Sequence, residues 1–354
     1  MHTDRKLKIV ADRNIPFIDT AISGLGETIY LPGDKITSEV VADADILLTR
    51  TRTRCNAALL DGSRISFIGT ATIGTDHIDL DYCASRGITV ANAMGCNAPA
   101  VAQYVLAAIE STLRPGETFA DRTLGIIGVG HIGTVLREWA EKMGMKVLSN
   151  DPPREEAGDT SIEYSTLDEI AEKCDVITVH TPYTTAGPHP THHLLGDGFL
   201  SKLRRRPMVI NAARGPVADT AALKRAYADG LVSALVIDCW EGEPAIDLPL
   251  LADAVFATPH IAGYSYQGKV RATSMVLTAL ADYLQSHFGM NVTAADLTAG
   301  LPHVKPTPEA ITPDQIGYDI AADTLRLKNV APELIPITFE SLRNNYPLRN
   351  EPCQ

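Results

Sequence analysis

The sequence predicts an α/β protein: two doubly wound parallel sheets followed by a small C-terminal domain. Over residues 7–93, short β-rich runs alternate with helical stretches. A second alternating block follows, and its strands are continuous apolar runs. After residue 288 the composition turns to Pro, Thr and Ala. Strand–helix alternation implies a parallel sheet with helices on both faces, and strands without polar alternation are buried on both sides. At 354 residues the chain exceeds one typical core, so two or three domains are expected.

The elements follow in order. "LKIVAD" (7–12), "ETIYL" (27–31), "DILLTRT" (45–51), "ISFIGTAT" (65–72) and "ITVANA" (88–93) read as strands, and "TDHIDLDYCASRG" between the last two reads as a helix ending in Gly. "NAPAVAQYVLAAIESTL" (97–113) is a long helix with Pro99 near its start, where the missing N–H costs nothing. The second block offers "RTLGIIG", "MKVLSND", "DVITVH", "PMVINAA", "SALVIDCW" and "AVFATP" as strands, and "GKVRATSMVLTALADYLQSHF" (268–288) as another long helix. The tail, ending "FESLRNNYPLRNEP", is too apolar to be frayed and predicts a small domain or an oligomerisation arm. No short-period repeat is present.

Composition narrows the class. An apolar content of 45% with mean hydropathy near zero is ordinary for a soluble globular protein. The formal charge of −12 argues against nucleic-acid or anionic-membrane binding. No apolar run reaches the ~18 residues of a membrane span, and the start lacks a signal-peptide core. Six cysteines (Cys55, Cys83, Cys96, Cys174, Cys239, Cys353) without C-x-x-C spacing predict reduced, mostly buried thiols and a cytoplasmic location. "HPTHH" (His189, His192, His193) sits among Gly and Pro with no Cys or carboxylate at ligand spacing, so no metal site is expected.

Gly128-x-Gly130-x-x-Gly133 stands in a specific context. Gly128 closes an apolar strand. A helix carrying Ile132, Val135, Leu136, Trp139 and Met143 begins inside the motif, and a further strand delivers Asp151. Such glycines permit a tight turn and close approach of a pyrophosphate to unpaired helix N–H groups. Asp151 would accept the adenosine ribose hydroxyls and repel a 2′-phosphate, favouring NAD over NADP. His131 and Ile132 fall within the same cofactor-binding turn.

In open α/β sheets, ligands bind beyond the carboxyl ends of the strands. There "PMVINAA" leads to Arg214, "SALVIDCW" to Asp238 and Glu243, and "AVFATP" to His260. Arg can fork onto a carboxylate, His can exchange a hydroxyl proton as hydride leaves, and Glu can stabilise the imidazolium. The three are the groups that hydride transfer from a 2-hydroxy acid requires. Each residue alone is more often a surface or turn residue; together, beside a dinucleotide motif, they form a candidate catalytic triad.

"GVGHIG", "INAARG", "DCWEGEP" and "TPHIAGYS", in this order and spacing, resemble the D-isomer-specific 2-hydroxyacid dehydrogenases. The resemblance extends over essentially the whole chain and includes "GTATIGTDHIDLDYC", "MGCNAPAVAQYV" and the tail. It implies NAD-dependent oxidation of a phosphorylated 2-hydroxy acid, with Arg214, Glu243 and His260 as the triad. It also places Thr51, Thr72 and Tyr264 on the substrate, and Thr181, Ala212, Ala213, Arg214, Asp238 and Gly263 at the cofactor. The implied architecture is a discontinuous flavodoxin-like substrate domain (1–96 and 262–284), a Rossmann NAD domain (97–261) and a dimerisation domain (285–354), with a homodimer as the expected assembly. A relative with another substrate and a dinucleotide-sensing corepressor of the same fold stay open as alternatives. In extended chain, Arg50, Arg52 and Arg54 of "TRTRTRC" would share one face; Arg50 is the candidate contact for a substrate phosphate, with Arg343 or Arg349 of a partner's tail as possible helpers.

Overall fold

Parallel sheets form where each predicted apolar run falls between two helical coverings. The computed structural model describes residues 6–352, so Cys353 lies outside the described residues. The chain divides into two units: one is the chain up to Asn97 with Tyr266–Lys305, the other Ala98–Ser265 with the chain from Pro306.

The first unit is built on β1 (Lys8–Asp12), β2 (Glu27–Leu31), β3 (Ile46–Thr49), β4 (Phe67–Thr70) and β5 (Thr89–Asn92), all parallel, in the order β2-β1-β3-β4-β5. Alternate side chains divide the core between the two faces, as the two-residue strand period requires. Ile9, Ala11, Ile46, Leu48 and Phe67 meet Ala272, Val276, Leu277, Leu280 and Leu284 of the helix Tyr266–Phe288. Val10, Leu47 and Ile68 pack with Val41, Leu60, Ile78 and Cys83 on the other face. Gly69 has a packing reason: a Cβ there would stand 2.7 Å from the Val276 side chain.

The second unit carries β6 (Thr123–Ile127), β7 (Lys146–Asn150), β8 (Val176–Val179), β9 (Met208–Asn211), β10 (Ala234–Ile237) and β11 (Phe256–Ala257), again all parallel, in the order β11-β10-β9-β8-β6-β7. The winding direction reverses beside β6, so the Gly128 turn opens at the switch point where such sheets bind ligands. Between β7 and β8 the chain forms the short helices Pro152–Glu156 and Leu167–Lys173. The helix Ala98–Glu110 covers one face with fully buried Tyr104, Val105 and Leu106.

The C-terminal segment is not a core of its own. Leu327, Ile335 and Phe339, from the helices Ile320–Lys328 and Ile335–Asn344, join the core of one sheet face, and Ile311, Ile316 and Ile320 that of the other. Trp139 is fully buried and donates its indole N–H to the Pro308 carbonyl at 2.8 Å, tying this segment to the second sheet. Truncating buried Phe339 to Ala would cost about 3–5 kcal/mol.

The arginine run does not adopt the extended form that would align it. β3 ends at Thr49, and residues 51–53 form a turn closed by Thr53 N–H to the Arg50 carbonyl at 3.4 Å. Thr53 is buried while Arg52 and Arg54 are exposed, so the expected common face does not exist. Cys55, Cys83, Cys96, Cys174 and Cys239 are all buried thiols, and burial pushes Cys55 and Cys174 up to about 12. No described helix is long and apolar enough to cross a membrane.

Candidate active site

Three consecutive strands of the second sheet deliver the three predicted residues at their carboxyl ends. After β9, Asn211 organises the turn: its side-chain amide donates to the carbonyls of Arg214 (3.0 Å) and Cys239 (3.2 Å), and its oxygen accepts the Ala213 N–H (3.2 Å). Asn211 therefore binds the turn after β9 to the turn after β10. Gly215 is required there, because a Cβ would lie 2.0 Å from the Trp240 carbonyl oxygen. Arg214 leaves this turn in an extended conformation (φ −142°) and donates to the Ala213 carbonyl at 2.9 Å. Its charge acts on Cys239, in the turn that also carries Glu243.

After β10, Glu243 folds back so that Oε1 accepts the Trp240 N–H at 2.8 Å. Its Oε2 stands 2.9 Å from His260 Nδ1. Burial pushes this carboxyl up, but the hydrogen bond and charge of His260, the Trp240 N–H and the nearby Arg343 outweigh it, leaving Glu243 below its ordinary value of 4.5. With an ionised carboxylate accepting from Nδ1, Nε2 is the nitrogen left to exchange a proton. Cys239, Glu243 and His260 bring ligand-type atoms within 4.8 Å of one another. Burial, with Asp238 and Glu243 nearby, holds the Cys239 thiol protonated, and it donates to the Ala213 carbonyl at 3.4 Å, so the set reads as an acid–base pair beside an inert thiol.

His260 follows β11 and has φ +56°, a conformation a non-glycine residue adopts only when its surroundings enforce it. The enforcing group is Asp238. Its carbonyl accepts the His260 N–H (2.9 Å), Oδ1 accepts Thr258 Oγ1 (2.7 Å) and the Ile261 N–H (2.7 Å), and Oδ2 accepts the Ala262 N–H (3.0 Å). Tyr104 extends the network through Thr258 Oγ1 at 2.8 Å. Asp238 is 1% exposed; burial raises its pKa, partly offset by His260, Thr258 and the two N–H groups. Asp238, expected at the cofactor, is thus also the organiser of the His260 loop.

The glycine turn separates into packing and ligand roles. Gly128 has φ +91°, and a Cβ there would stand 2.8 Å from the His180 carbonyl carbon. On Gly133 it would reach 2.3 Å from the Gly128 oxygen, but on Gly130 it would meet no described atom within 4 Å. The helix His131–Lys142 starts at Gly130 without a side-chain cap. Across the turn, Thr181 Oγ1 is buried with no hydrogen-bond partner among the described residues. Open space over Gly130, an uncapped helix start and an orphaned hydroxyl fit a dinucleotide. Asp151 Oδ2 accepts the Val129 N–H at 2.8 Å, which holds the acid against the glycine turn. Arg154 is paired with Asp159 (Nε to Oδ2, 2.7 Å), so its charge is not offered to a 2′-phosphate. Ile132 is half-buried, and Ala212 and Ala213 line the turn after β9.

The remaining candidates fall as follows. Thr72, in the first unit beyond β4, bonds Thr70 Oγ1 (2.7 Å), which in turn meets His77 Nε2 (3.2 Å). Arg50 donates to the Asn14 carbonyl at 3.0 Å, and Thr51 is exposed in the turn after β3. Tyr264 closes the His260 loop through its N–H to the Ile261 carbonyl (2.8 Å), with Gly263 beside it. Arg343 hydrogen-bonds Tyr264 in the same chain; burial opposes its charge, but Tyr264 and Glu243 raise its pKa. Arg349, considered as a phosphate contact, is engaged within its own chain by the carbonyls of Ala100, Ile261, Ala262 and Tyr264. His189 and His193 pair with Glu156 (2.8 Å) and Glu241 (2.7 Å). Asn211 was missed as a site-building residue, although a polar side chain ending a buried strand was a usable signal.

Comparisons with known proteins identify the family. The family described as D-isomer specific 2-hydroxyacid dehydrogenase, NAD binding domain, matches residues 96–262. The erythronate-4-phosphate dehydrogenase of Bacteroides thetaiotaomicron is 44% identical over 351 residues, covering 98% of this chain and 97% of that protein. The protein of that name from Azotobacter vinelandii is 47% identical over 279 residues, 78% of this chain and 72% of its own. Among solved structures, D-lactate dehydrogenase from Aquifex aeolicus, complexed with NAD and lactic acid, matches with a TM-score of 0.62 at 27% identity, covering 85% of this chain and 100% of that one. The NAD-bound 3-phosphoglycerate dehydrogenase of Entamoeba histolytica matches with a TM-score of 0.66 at 25% identity, covering 80% and 97%. The chain belongs to the D-isomer-specific 2-hydroxyacid dehydrogenase family, on its erythronate-4-phosphate dehydrogenase branch.

Proposed function

We infer that this protein catalyses the NAD-dependent oxidation of 4-phospho-D-erythronate to (R)-3-hydroxy-2-oxo-4-phosphooxybutanoate, a step of pyridoxal 5′-phosphate biosynthesis. The observation that carries the chemistry is the His260–Glu243 pair, 2.9 Å apart, at the sheet edge that also bears Arg214. The substrate follows from the near-complete coverage by relatives bearing the erythronate-4-phosphate dehydrogenase name.

Arg214 forks onto the substrate carboxylate and polarises the forming carbonyl. His260 Nε2 takes the C2 hydroxyl proton as the C2 hydrogen departs with its electron pair, and Glu243 stabilises the resulting imidazolium. The turn Gly128–Gly133, with His131 and Ile132, would hold the NAD pyrophosphate, Asp151 the ribose hydroxyls, and Thr181, Ala212, Ala213, Asp238 and Gly263 the remainder. When bound there, NAD supplies the hydride acceptor. Thr51, Thr72 and Tyr264 are assigned to the substrate and Arg50 to its phosphate. The sheet unit with Thr51 and Thr72 acts as the substrate domain, and residues 285–354 pair two copies into a cytoplasmic homodimer.

Purified protein, NAD and a panel of D-2-hydroxy acids with and without a terminal phosphate test this assignment. NADH should form fastest with 4-phospho-D-erythronate. Preference for 3-phosphoglycerate would move the chain to another branch, and cofactor binding without turnover would make it a sensor. In Arg50→Ala, KM should rise for the phosphorylated acid only; equal losses for both would end that role.

A further inference from the structure

Asp238 is a buried acid whose hydrogen bonds come from a hydroxyl, two backbone N–H groups and, at 3.9 Å, the Cys239 thiol, rather than from a cation. A cation lies on the carbonyl side of the same loop. Arg349 donates through Nη1 to the carbonyls of Ile261 (3.1 Å) and Tyr264 (3.2 Å), and through Nη2 to those of Ala262 and Ala100 (2.9 Å). Its Nε donates to Gln103 Oε1 at 3.1 Å, and the guanidinium lies 4.2 Å from the centre of the Tyr318 ring. All five of its N–H donors are therefore engaged. The peptide between Ile261 and Ala262, whose N–H is accepted by Asp238 and whose carbonyl accepts from Arg349, sits between a negative and a positive charge, the orientation its dipole favours. Ser265 Oγ, bonded to Glu351 Oε1 at 2.5 Å, anchors the end of the loop to the same tail.

We propose that Arg349 is a positioning residue for the reaction: through the carbonyls of Ile261, Ala262 and Tyr264 it holds the loop that keeps His260 in its left-handed conformation, with Nδ1 on Glu243. It touches neither substrate nor cofactor and acts through His260, so the inference rests on His260 being the proton-exchanging group. Glu243, Asp238, Cys239 and Tyr264 face His260 and its loop, and Arg343 stands beside Glu243 and Tyr264. Tyr264 reaches one of these carbonyls, that of Ile261, through its own backbone N–H (2.8 Å), a bond internal to the loop; Arg349 is the side chain that ties all three carbonyls to the tail.

The test uses the full-length enzyme and substrate carrying deuterium at C2. In Arg349→Met, kcat should fall about 10- to 100-fold, as expected for an ångström-scale displacement of a catalytic group. The KM for NAD should stay within about twofold, and the deuterium isotope effect on kcat should rise as the chemical step becomes limiting. Ethylguanidinium added to this variant should restore part of the rate. Arg349→Lys, which keeps the charge with fewer donors, should lie between and provides the same readings if the methionine variant does not fold. Arg326→Met, which removes a tail ion pair to Asp323, controls for general loosening and should leave kcat unchanged. A folded Arg349 variant with wild-type kcat and isotope effect overturns the inference. So does a rate loss that merely follows the fraction unfolded. His260→Gln separates the two levels: if it retains turnover, the assignment of His260 itself is wrong.

Discussion

Glu243→Gln isolates the electrostatic contribution of the acid–base pair. The substitution keeps the size of the side chain and can still accept one of the two hydrogen bonds now made to Trp240 N–H and His260 Nδ1. It removes the negative charge 2.9 Å from the imidazole. At an effective dielectric constant of about 20, opposite charges at that distance attract by roughly 6 kcal/mol. The side chains are 26% and 19% exposed, so screening reduces this to about 2–4 kcal/mol. That imidazolium charge forms as the substrate hydroxyl loses its proton, so the loss falls on the transition state. The expected result is a kcat lower by about 30- to 1000-fold, with the KM for NAD unchanged, followed by NADH absorbance under saturating substrate. Glu243→Asp should fall between the two, because its carboxylate retains the charge one methylene short of Nδ1. A kcat within about threefold of the parent in a folded Glu243→Gln enzyme would refute the reasoning, since no other described carboxylate contacts His260 Nδ1.

Three further outcomes are expected. Gly130→Ala should fold with a near-parental melting temperature yet bind NAD at least ~10-fold more weakly by calorimetry, whereas Gly133→Ala should lose ~2 kcal/mol or more in denaturant unfolding, because only the latter Cβ collides with the chain. Asp151→Ala should reduce the preference for NAD over NADP in kcat/KM by about tenfold or more, and lose ~1 kcal/mol of stability with its cap on Arg154 N–H. Burial lowers His180 from 6.5 to about 3, so it stays neutral in the fold while the unfolded chain takes up a proton as pH falls below 6.5. Stability should therefore drop on acidification across that window, by about 1–2 kcal/mol between pH 6.5 and 5. Thermal melts of His180→Gln across the same range should be flatter than those of the parent; parallel curves would contradict the shift.

What was legible in the sequence follows from local rules. Residues 27–31 form β2 exactly where β-rich composition placed a strand, and each apolar run of the second block forms a strand because a run with no polar alternation is stable only when covered on both faces. Strands were overdrawn at their ends: "DILLTRT" pairs only over Ile46–Thr49, since pairing stops where the neighbouring strand stops. The arginine run was misread for the same reason, its spacing being meaningful only on an extended backbone that the turn after β3 does not provide.

The chain by itself determined the two sheets, the glycine turn with its acid, and the order in which an arginine, a glutamate and a histidine leave successive strands, because each depends on residues adjacent in sequence. Tertiary structure alone decided how those side chains are held. Asn211 joins two turns, Asp238 braces the His260 loop from its N–H side, and Arg349 reaches carbonyls 85 to 249 residues away to brace it from the other. Hydrogen bonds to backbone carbonyls carry no residue code, since every residue type offers the same acceptor, and so they leave no pattern to read before the chain has folded.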